Sequence, residues 1–149
     1  MTRHARFRVL HVVESYGGGV ASAIDAYVAA TPELEHHILR RRREGSLAGD
    51  ASAATFASVT DLPGGPQAVL AVRRALAVVR PAVLHAHSSR AGVYARLAVR
   101  DGRHVRIVYT PHCFAFERRN ISLLVRTCCY VVERSLALNT GGCRRLLTS

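Results

Sequence analysis

Hydrophobic and polar positions change their spacing several times along the chain, and each change predicts a new element. Residues 7–13 form an apolar run rich in β-branched side chains, and the polar, glycine-rich segment 14–19 interrupts it. Residues 20–31 then place apolar side chains at the spacing of one helix face, and Pro32 ends that pattern. The first part of the chain is therefore predicted to be a strand, a glycine loop and a helix.

The alternation of strand and helix patterns continues to the end of the chain. Apolar runs predict further strands at residues 34–39, 55–59, 82–87 and 105–110, and helical spacing predicts helices at 67–80, about 89–100 and 121–136, with a strand-like segment at 143–148. The runs around Val9 and Val105 are almost continuously apolar, which is typical of parallel strands buried on both faces. The sequence thus predicts an α/β fold, a doubly wound parallel sheet with helices on both sides.

The length and composition predict one folded domain. The chain has 149 residues, of which 49% are apolar and 21% charged, so burial can offset the entropy lost on ordering. Arginines interrupt every apolar run well before the roughly 20 residues that a membrane-spanning helix needs. The apolar run at 9–13 is too short for the core of a signal peptide. The four cysteines lack a disulfide-scaffold or zinc spacing, and we therefore expect a reducing, cytoplasmic compartment.

The formal net charge of +11 favours a polyanionic partner, such as nucleic acid, an anionic membrane surface or a phosphorylated substrate. All 21 basic residues are arginine, which indicates a coding bias rather than a selected binding face. Aromatic residues make up only 6%, and no nucleic-acid recognition motif is visible. We therefore expect no nucleic-acid partner, whereas peripheral contact with an anionic membrane stays open.

The loop after the first strand has the composition of a phosphate-binding turn. In an open α/β sheet, ligands bind beyond the carboxyl ends of the strands. Gly17, Gly18 and Gly19 lead into the first helix, where backbone amides can approach an anion that the helix dipole also attracts. A tight strand-to-helix turn without a ligand would have the same sequence. A dinucleotide fingerprint fits only in part, because Gly17 and Gly19 match its first two glycines but Ser22 stands at the third.

The arginine run at residues 40–43 supports one alternative. A domain that binds NAD would have an acidic residue after the second strand, whereas arginine at that place can accept the 2′-phosphate of NADP. An NADP-binding reductase or epimerase domain is therefore a competing hypothesis.

The segment after the fourth predicted strand carries the next candidate site residues. His85 and His87 are expected to face opposite sides of their strand, which argues against joint metal binding, and we predict no metal site. His87 lies at the carboxyl end of the strand beside Ser88 and Arg90, where it either contacts a ligand or packs as a structural histidine. Ser88 or Ser89 is expected to cap the helix that follows.

His112 directly follows the fifth predicted strand and comes after Pro111. An imidazole at this edge can hydrogen-bond a sugar hydroxyl or act as an acid or base near neutral pH. A turn with aromatic packing is the simpler alternative. A nucleophilic pair of His112 with Cys113 is not expected, since adjacent side chains generally point apart.

Three segments of the chain together resemble a known family. The sequences RVLHVVESYGGGVASAI (8–24), VLHAHSSRAGVYARLA (83–98) and VRIVYTPHCFAFE (105–117) look like the N-terminal domain of family-4 glycosyltransferases of the GT-B fold. The motifs stand in the family's order, each at a strand-to-loop junction, and the resemblance covers residues 6–149. It implies a Rossmann-like domain that is the N-terminal half of a two-domain GT-B architecture.

The resemblance also implies an activity and roles for individual residues. Such enzymes transfer a sugar from a nucleotide-sugar to an acceptor, with retention of configuration and without a metal or other cofactor. The glycines of the 17–19 loop would contact the donor diphosphate, and His112 matches the catalytic histidine that approaches the donor sugar. His87, Ser88 and Arg90 match a cleft-facing loop that would contact acceptor or donor.

The resulting prediction is a partial hexosyltransferase of polysaccharide, glycolipid or glycoconjugate assembly. It would be cytoplasmic, with peripheral contact at the inner face of the membrane, where lipid-linked acceptors lie. Cys113 departs from the family pattern, which often has a small residue such as glycine there. The chain stops after a strand-like segment, so residues 1–149 are expected to be the acceptor-side domain of a longer protein and to be inactive without the donor-binding domain.

Overall fold

The computed structural model describes residues 7–42, 56–99 and 105–110. Within these ranges the chain forms five strands and three helices, in the order β1 (Arg8–Tyr16), α1 (Gly18–Ala30), β2 (Glu35–Arg42), β3 (Ser58–Asp61), α2 (Gln67–Val79), β4 (Val83–His87), α3 (Ser89–Ala98) and β5 (Arg106–Thr110). Each of these elements corresponds in type to a predicted one, with ends that differ by a few residues.

The five strands form one parallel sheet in the order β3-β2-β1-β4-β5. All neighbouring pairs are parallel, and His11 of β1 lies opposite Ile38 of β2 and opposite His85 of β4. The chain runs outward from β1 through β2 to β3, and then crosses to the other side of β1 for β4 and β5. This is the doubly wound, Rossmann-like α/β arrangement, and the predicted fold class is confirmed.

Alternate residues of the strands supply two separate layers of core. Leu10, Leu39 and Leu84 are buried on one face of the sheet and belong to a cluster that includes residues of α2 and α3. Val13 and Ile38 are buried on the other face, together with residues of α1. Successive side chains of a strand point to opposite faces, so each apolar run serves both layers.

β1 and β2 extend further at their carboxyl ends than the sequence predicts. β1 continues to Tyr16, with an irregularity in the register between Val13 and Tyr16, although residues 14–16 are predicted as loop. β2 continues to Arg42, which pairs with Tyr16, so most of the arginine run lies inside the strand rather than after it. Polar side chains do not prevent this extension, because the strands pair through backbone groups.

Individual residues set the ends and the packing of α2 and α3. α2 ends at Arg80, which adopts a left-handed conformation with φ 49° and ψ 57°. Ser88 caps α3 as predicted, since its Oγ accepts a hydrogen bond from the Ala91 N–H at 3.3 Å. A Cβ at Gly92 would lie 3.0 Å from the ring of Tyr109, so glycine is what allows α3 to approach β5 closely.

Several sequence predictions fall outside the described residues and stay predictions. They are the helix at 121–136, the strand-like segment at 143–148, the four cysteines and His112. Among the described helices, none is long and apolar enough to cross a membrane.

Candidate functional site

The carboxyl ends of β1 and β4 define the candidate site. The two strands are neighbours, and the strand order reverses between them, because β2 lies on one side of β1 and β4 on the other. α1 follows β1 and packs on one face of the sheet, whereas α3 follows β4 and packs on the opposite face. Loops that diverge in this way leave the crevice in which open α/β sheets bind ligands.

The glycine loop at residues 17–19 forms the start of α1 at this crevice. Gly18 has a φ of +53°, a left-handed conformation that glycine adopts without steric cost. Apart from the chain neighbours and the backbone of α1 itself, no atom of the described residues lies within 4 Å of a Cβ built on Gly18 or Gly19. The first turn of α1 carries no acidic residue, and no described side chain caps it. Gly18 and Gly19 are exposed, and the first amides of α1 have no side-chain cap among the described residues, an arrangement suited to binding an anion.

Two arginines from different elements hold Glu14 beside the glycine loop. Glu14 Oε1 lies 3.1 Å from Arg90 Nη1 of α3 and 3.7 Å from Arg41 Nη1 of β2. The Arg41 and Arg90 side chains are exposed, at 51% and 73%, whereas that of Glu14 is 19% exposed. One carboxylate thus faces two accessible guanidinium groups, and this edge of the sheet keeps a positive charge.

Arg40 carries a further positive charge, but in a buried position. Its guanidinium carbon lies 4.7 Å from the centroid of the Tyr16 ring, a cation–π contact. Arg40 is 6% exposed, and its Nε has no hydrogen-bond partner among the described residues. Because strand side chains alternate, Arg40 and Arg41 point to opposite faces. Arg40 and Arg41 therefore lie within β2 and do not belong to the single basic loop that the NADP hypothesis assumes.

The expectation that His85 and His87 face opposite sides of β4 is wrong. Residues two apart in a strand share a face, because the side-chain period is two. The rings of His85 and His87 have their centroids 3.9 Å apart on the α1 face. Both also lie beside the His11 ring of β1, at 5.5 and 5.3 Å between centroids. The sequence argument against joint metal binding therefore fails.

His11, His36, His85 and His87 form a histidine cluster on the α1 face of the sheet. His11 lies at its centre, with Nδ1 3.0 Å from His87 Nε2 and Nε2 3.0 Å from His36 Nδ1. His11 and His87 are fully buried. Burial, with smaller contributions from His85 and His36, lowers the pKa of His11 to about 3. The His11 ring is therefore neutral at neutral pH.

The hydrogen bonds at one end of the histidine cluster fix which nitrogens carry protons. The Thr31 hydroxyl donates to the Tyr27 carbonyl at 2.8 Å, so it can only accept from His36 Nε2, 3.1 Å away. The Thr31 carbonyl, which is an acceptor, also lies 3.1 Å from His36 Nε2. When the His36 ring carries a single proton, that proton lies on Nε2, and Nδ1 accepts from His11 Nε2–H. It follows that His11 Nδ1 is an acceptor and faces His87.

The structure brings only part of the predicted site to the crevice. The glycine loop follows β1 and Arg90 belongs to α3, which follows β4, and Glu14 of β1 forms an ion pair with Arg90 at 3.1 Å. Ser88 begins α3 at the same edge, with a strained φ of 121° and a hydroxyl that acts as a helix cap. His87 is fully buried in the histidine cluster, with Nε2 3.0 Å from His11 Nδ1. His112 lies outside the described residues.

Sequence reasoning missed the roles of Glu14, His11 and His36. His11 and His36 sit inside runs that identify strands, and a run by itself does not reveal what lies beside it. The signal becomes available once β1 and β4 are taken as neighbours, because aligning their carboxyl ends places His11 opposite His85. Glu14 carries no comparable signal, since its arginine partners come from elements distant in sequence.

The sequence of the chain also matches a known protein family. The sequence model of a family described as Glycosyltransferase Family 4 matches residues 16–137, more than half of the chain. A search among curated proteins found no match. The family match supports a glycosyltransferase and gives no support to an NADP-dependent reductase or epimerase.

Proposed function

Because this chain belongs to Glycosyltransferase Family 4, we propose that it is the N-terminal, acceptor-side domain of a hexosyltransferase with the GT-B architecture. The enzyme would transfer a sugar from a nucleotide-sugar to a polysaccharide, a glycolipid or another acceptor. The observation that carries the proposal is the open start of α1 at the glycine loop, next to the basic edge that contains Arg41 and Arg90.

The glycine loop is proposed to bind the diphosphate of the donor. When the bond between the sugar and the diphosphate breaks, negative charge develops on the leaving oxygen. Backbone amides at a helix start, together with the positive end of the helix dipole, stabilise such charge without having to reorganise. Gly18 and Gly19 support this role because both are exposed and neither has a side chain that would stand in the way of a ligand.

Arg90 and Ser88 are proposed to contact the acceptor or the donor from the other side of the crevice. Glu14 holds the Arg90 guanidinium at 3.1 Å, which reduces the entropy that a ligand contact would cost. The Ser88 oxygen accepts from the Ala91 N–H, so its own O–H can still donate to a ligand. We propose that buried His87 supports this loop from below rather than touching the substrate.

His112 is proposed, from the family resemblance alone, to approach the donor sugar near the reacting carbon. An imidazole at that place can hydrogen-bond a sugar hydroxyl or exchange a proton near neutral pH. The helix-start amides and the arginines supply the positive charge that the leaving group needs, so we propose transfer without a catalytic metal or other cofactor. A second domain would supply most of the nucleotide contacts, and we propose that the chain alone is inactive.

A cytoplasmic location with peripheral membrane contact is part of the proposal. The net charge of +11 would attract the protein to anionic headgroups at the inner face of a membrane. Lipid-linked acceptors lie at that surface, so such contact would bring the crevice close to its substrate.

The proposal is tested by adding a negative charge to the glycine loop. Gly19→Asp places a carboxylate where we expect the diphosphate, in space that no described residue occupies. We expect transfer from UDP- and GDP-sugars by the full product of the gene to fall by about tenfold or more, because like charges repel at the helix start. Ala26→Asp is the matched control, since it adds the same charge to an exposed position about two turns further along α1.

Three results would contradict this function. A folded product that transfers sugar from no UDP- or GDP-sugar would exclude the activity. Tight NADPH binding in place of nucleotide-sugar binding would restore the competing hypothesis. Equal losses in the Gly19 and Ala26 variants would show that the glycine loop does not hold the diphosphate.

A further inference from the structure

The histidine cluster places three ring nitrogens close enough to bind one metal ion. One nitrogen from each of His11, His85 and His87 lies within 4.8 Å of the other two. His11 Nδ1 and His87 Nε2 are 3.0 Å apart, close to the roughly 3.3 Å between two nitrogen ligands of a tetrahedral zinc ion. We propose that these three histidines form a structural binding site for one zinc-class transition-metal ion between β1 and β4.

The parallel sheet itself holds the three ligands in place. His11 and His85 are register partners on adjacent strands, and His87 is the next residue of β4 on the same face. Their backbones are fixed by strand hydrogen bonds, so rotation of the partly exposed His85 ring is the main adjustment that the ion requires. His85 is also the member through which an ion can enter, because His11 and His87 are fully buried.

Hydrogen bonds to neighbouring groups orient the rings of His11 and His85, as is usual for histidines that bind a metal. His36 Nε2–H donates to the Thr31 carbonyl, and His11 Nε2–H donates to His36 Nδ1, so His11 presents an Nδ1 lone pair towards His87. On the other side, His85 Nε2 lies 2.9 Å from Thr110 Oγ1. Histidine ligands in proteins are commonly fixed in this manner through their second nitrogen.

The donor set indicates the class of ion. Three imidazole nitrogens suit Zn²⁺ and its first-row neighbours, whereas Mg²⁺ and Ca²⁺ prefer oxygen ligands. Binding would displace the proton that His87 Nε2 shares with His11 Nδ1, and His87 would take a proton up on Nδ1 instead, so that the ring coordinates as a neutral imidazole. The ion would tie β1 to β4 beneath α1, and it takes no part in the proposed sugar transfer, so neither proposal depends on the other.

Metal titration of the complete 149-residue chain tests this site. After treatment with a chelator, we expect one Zn²⁺ or Co²⁺ to bind per chain by calorimetry, with a rise in Tm. Co²⁺ should give the visible bands of nitrogen ligation without a sulfur-to-cobalt band in the near ultraviolet, which separates this site from the cysteines. We expect His85→Gln to weaken binding by about tenfold or more, because it removes a ligand.

His37→Gln is the matched control for the histidine site. His37 is the neighbour of His36 in β2 but points to the opposite face, where its nitrogens contact Ser58 and Glu35. It should therefore bind the ion as the unchanged chain does. The proposal is overturned if no ion binds at one per chain, if His85→Gln and His37→Gln lose affinity equally, or if cobalt shows sulfur ligation. Should His85→Gln fail to fold, the stoichiometry and cobalt spectrum of the unchanged chain decide.

Discussion

The two faces of the sheet are built from the same strands, yet they are held together differently. On the face that α2 and α3 cover, Leu10 and Leu84 are 2% and 0% exposed among other hydrocarbon side chains. On the α1 face, His11 and His87 are buried to the same extent, at 1% and 0%. The first face is stabilised by removing apolar surface from water, whereas the second depends also on completing the hydrogen bonds of its rings.

The face that α2 and α3 cover is thus mainly a scaffold, whereas the α1 face carries the groups that are capable of chemistry. A buried polar ring costs free energy unless its nitrogens are paired, so a face that buries several histidines must position them accurately. The α1 face contains both the histidine cluster and the helix whose first residues form the glycine loop. The core cluster of the opposite face consists of apolar side chains and acts as a support, and buried His37 on that face contacts Ser58 and Glu35.

The largest expected effect comes from the apolar face. Leu84→Ala should lower the free energy of unfolding by about 3 kcal/mol, because it leaves a cavity among fully buried side chains. Urea unfolding measures this change. Leu97 of α3 is 50% exposed, so Leu97→Ala should lower the free energy of unfolding by less than about 1 kcal/mol. Equal losses at both positions would mean that the face is not packed as described.

The α1 face should instead lose stability in acid. The pKa of His11 is lowered to about 3 in the folded chain from 6.5, so the unfolded chain binds more protons as the pH falls through 6.5 towards 3. In chelator-treated protein, the free energy of unfolding should drop by about 2 kcal/mol between pH 7.5 and pH 5. The groups that face this region are His36, His85 and His87, with Tyr27 against the last two. Urea unfolding at both pH values measures the drop.

His11→Phe is the control that assigns the acid effect. Phenylalanine keeps a flat ring in the same place but does not titrate, and it leaves His36 Nδ1 and His87 Nε2 without their His11 contacts. The variant should be less stable at pH 7.5 and should lose less further stability at pH 5. An unchanged dependence on pH would place the responsible group elsewhere.

A smaller effect is expected at the edge between the two faces. Ser88→Ala should cost about 1 kcal/mol of unfolding free energy, because it removes the oxygen that accepts from the Ala91 N–H. Ser88→Gly should cost less, since glycine adopts the φ of 121° without strain. Thermal unfolding of the two variants compares them directly. If alanine is tolerated as well as glycine, the strain does not matter, and if alanine is tolerated as well as serine, the cap does not matter either.

The smallest effect on stability is expected for Arg90. The Arg90 side chain, which forms an ion pair with Glu14, is 73% exposed. Arg90→Gln should therefore change the free energy of unfolding by less than about 0.5 kcal/mol. Sugar transfer by the full gene product should nevertheless decrease, with the larger change in the KM for one substrate. Unchanged transfer kinetics would remove Arg90 from the proposed site.

The sequence predicts the fold well and the site only in part. The apolar runs and the turn residues identify every described strand and helix, because burial on a parallel sheet imposes those patterns directly. The extension of β1 to Tyr16 is not predicted, since backbone pairing can continue through polar residues. The histidine cluster is missed because it depends on which strands become neighbours, and on the two-residue period that places His85 and His87 on one face.

We propose above all that the start of α1 binds the diphosphate of a nucleotide-sugar. Titrating the chain with UDP and with GDP, while recording backbone amide NMR shifts, tests it most directly. The largest changes should fall on the amides of Gly18, Gly19 and Val20, and Gly19→Asp should abolish them while Ala26→Asp leaves them intact. Saturable shifts confined to other parts of the chain, with these three amides unmoved, would show that the diphosphate does not bind at the start of α1.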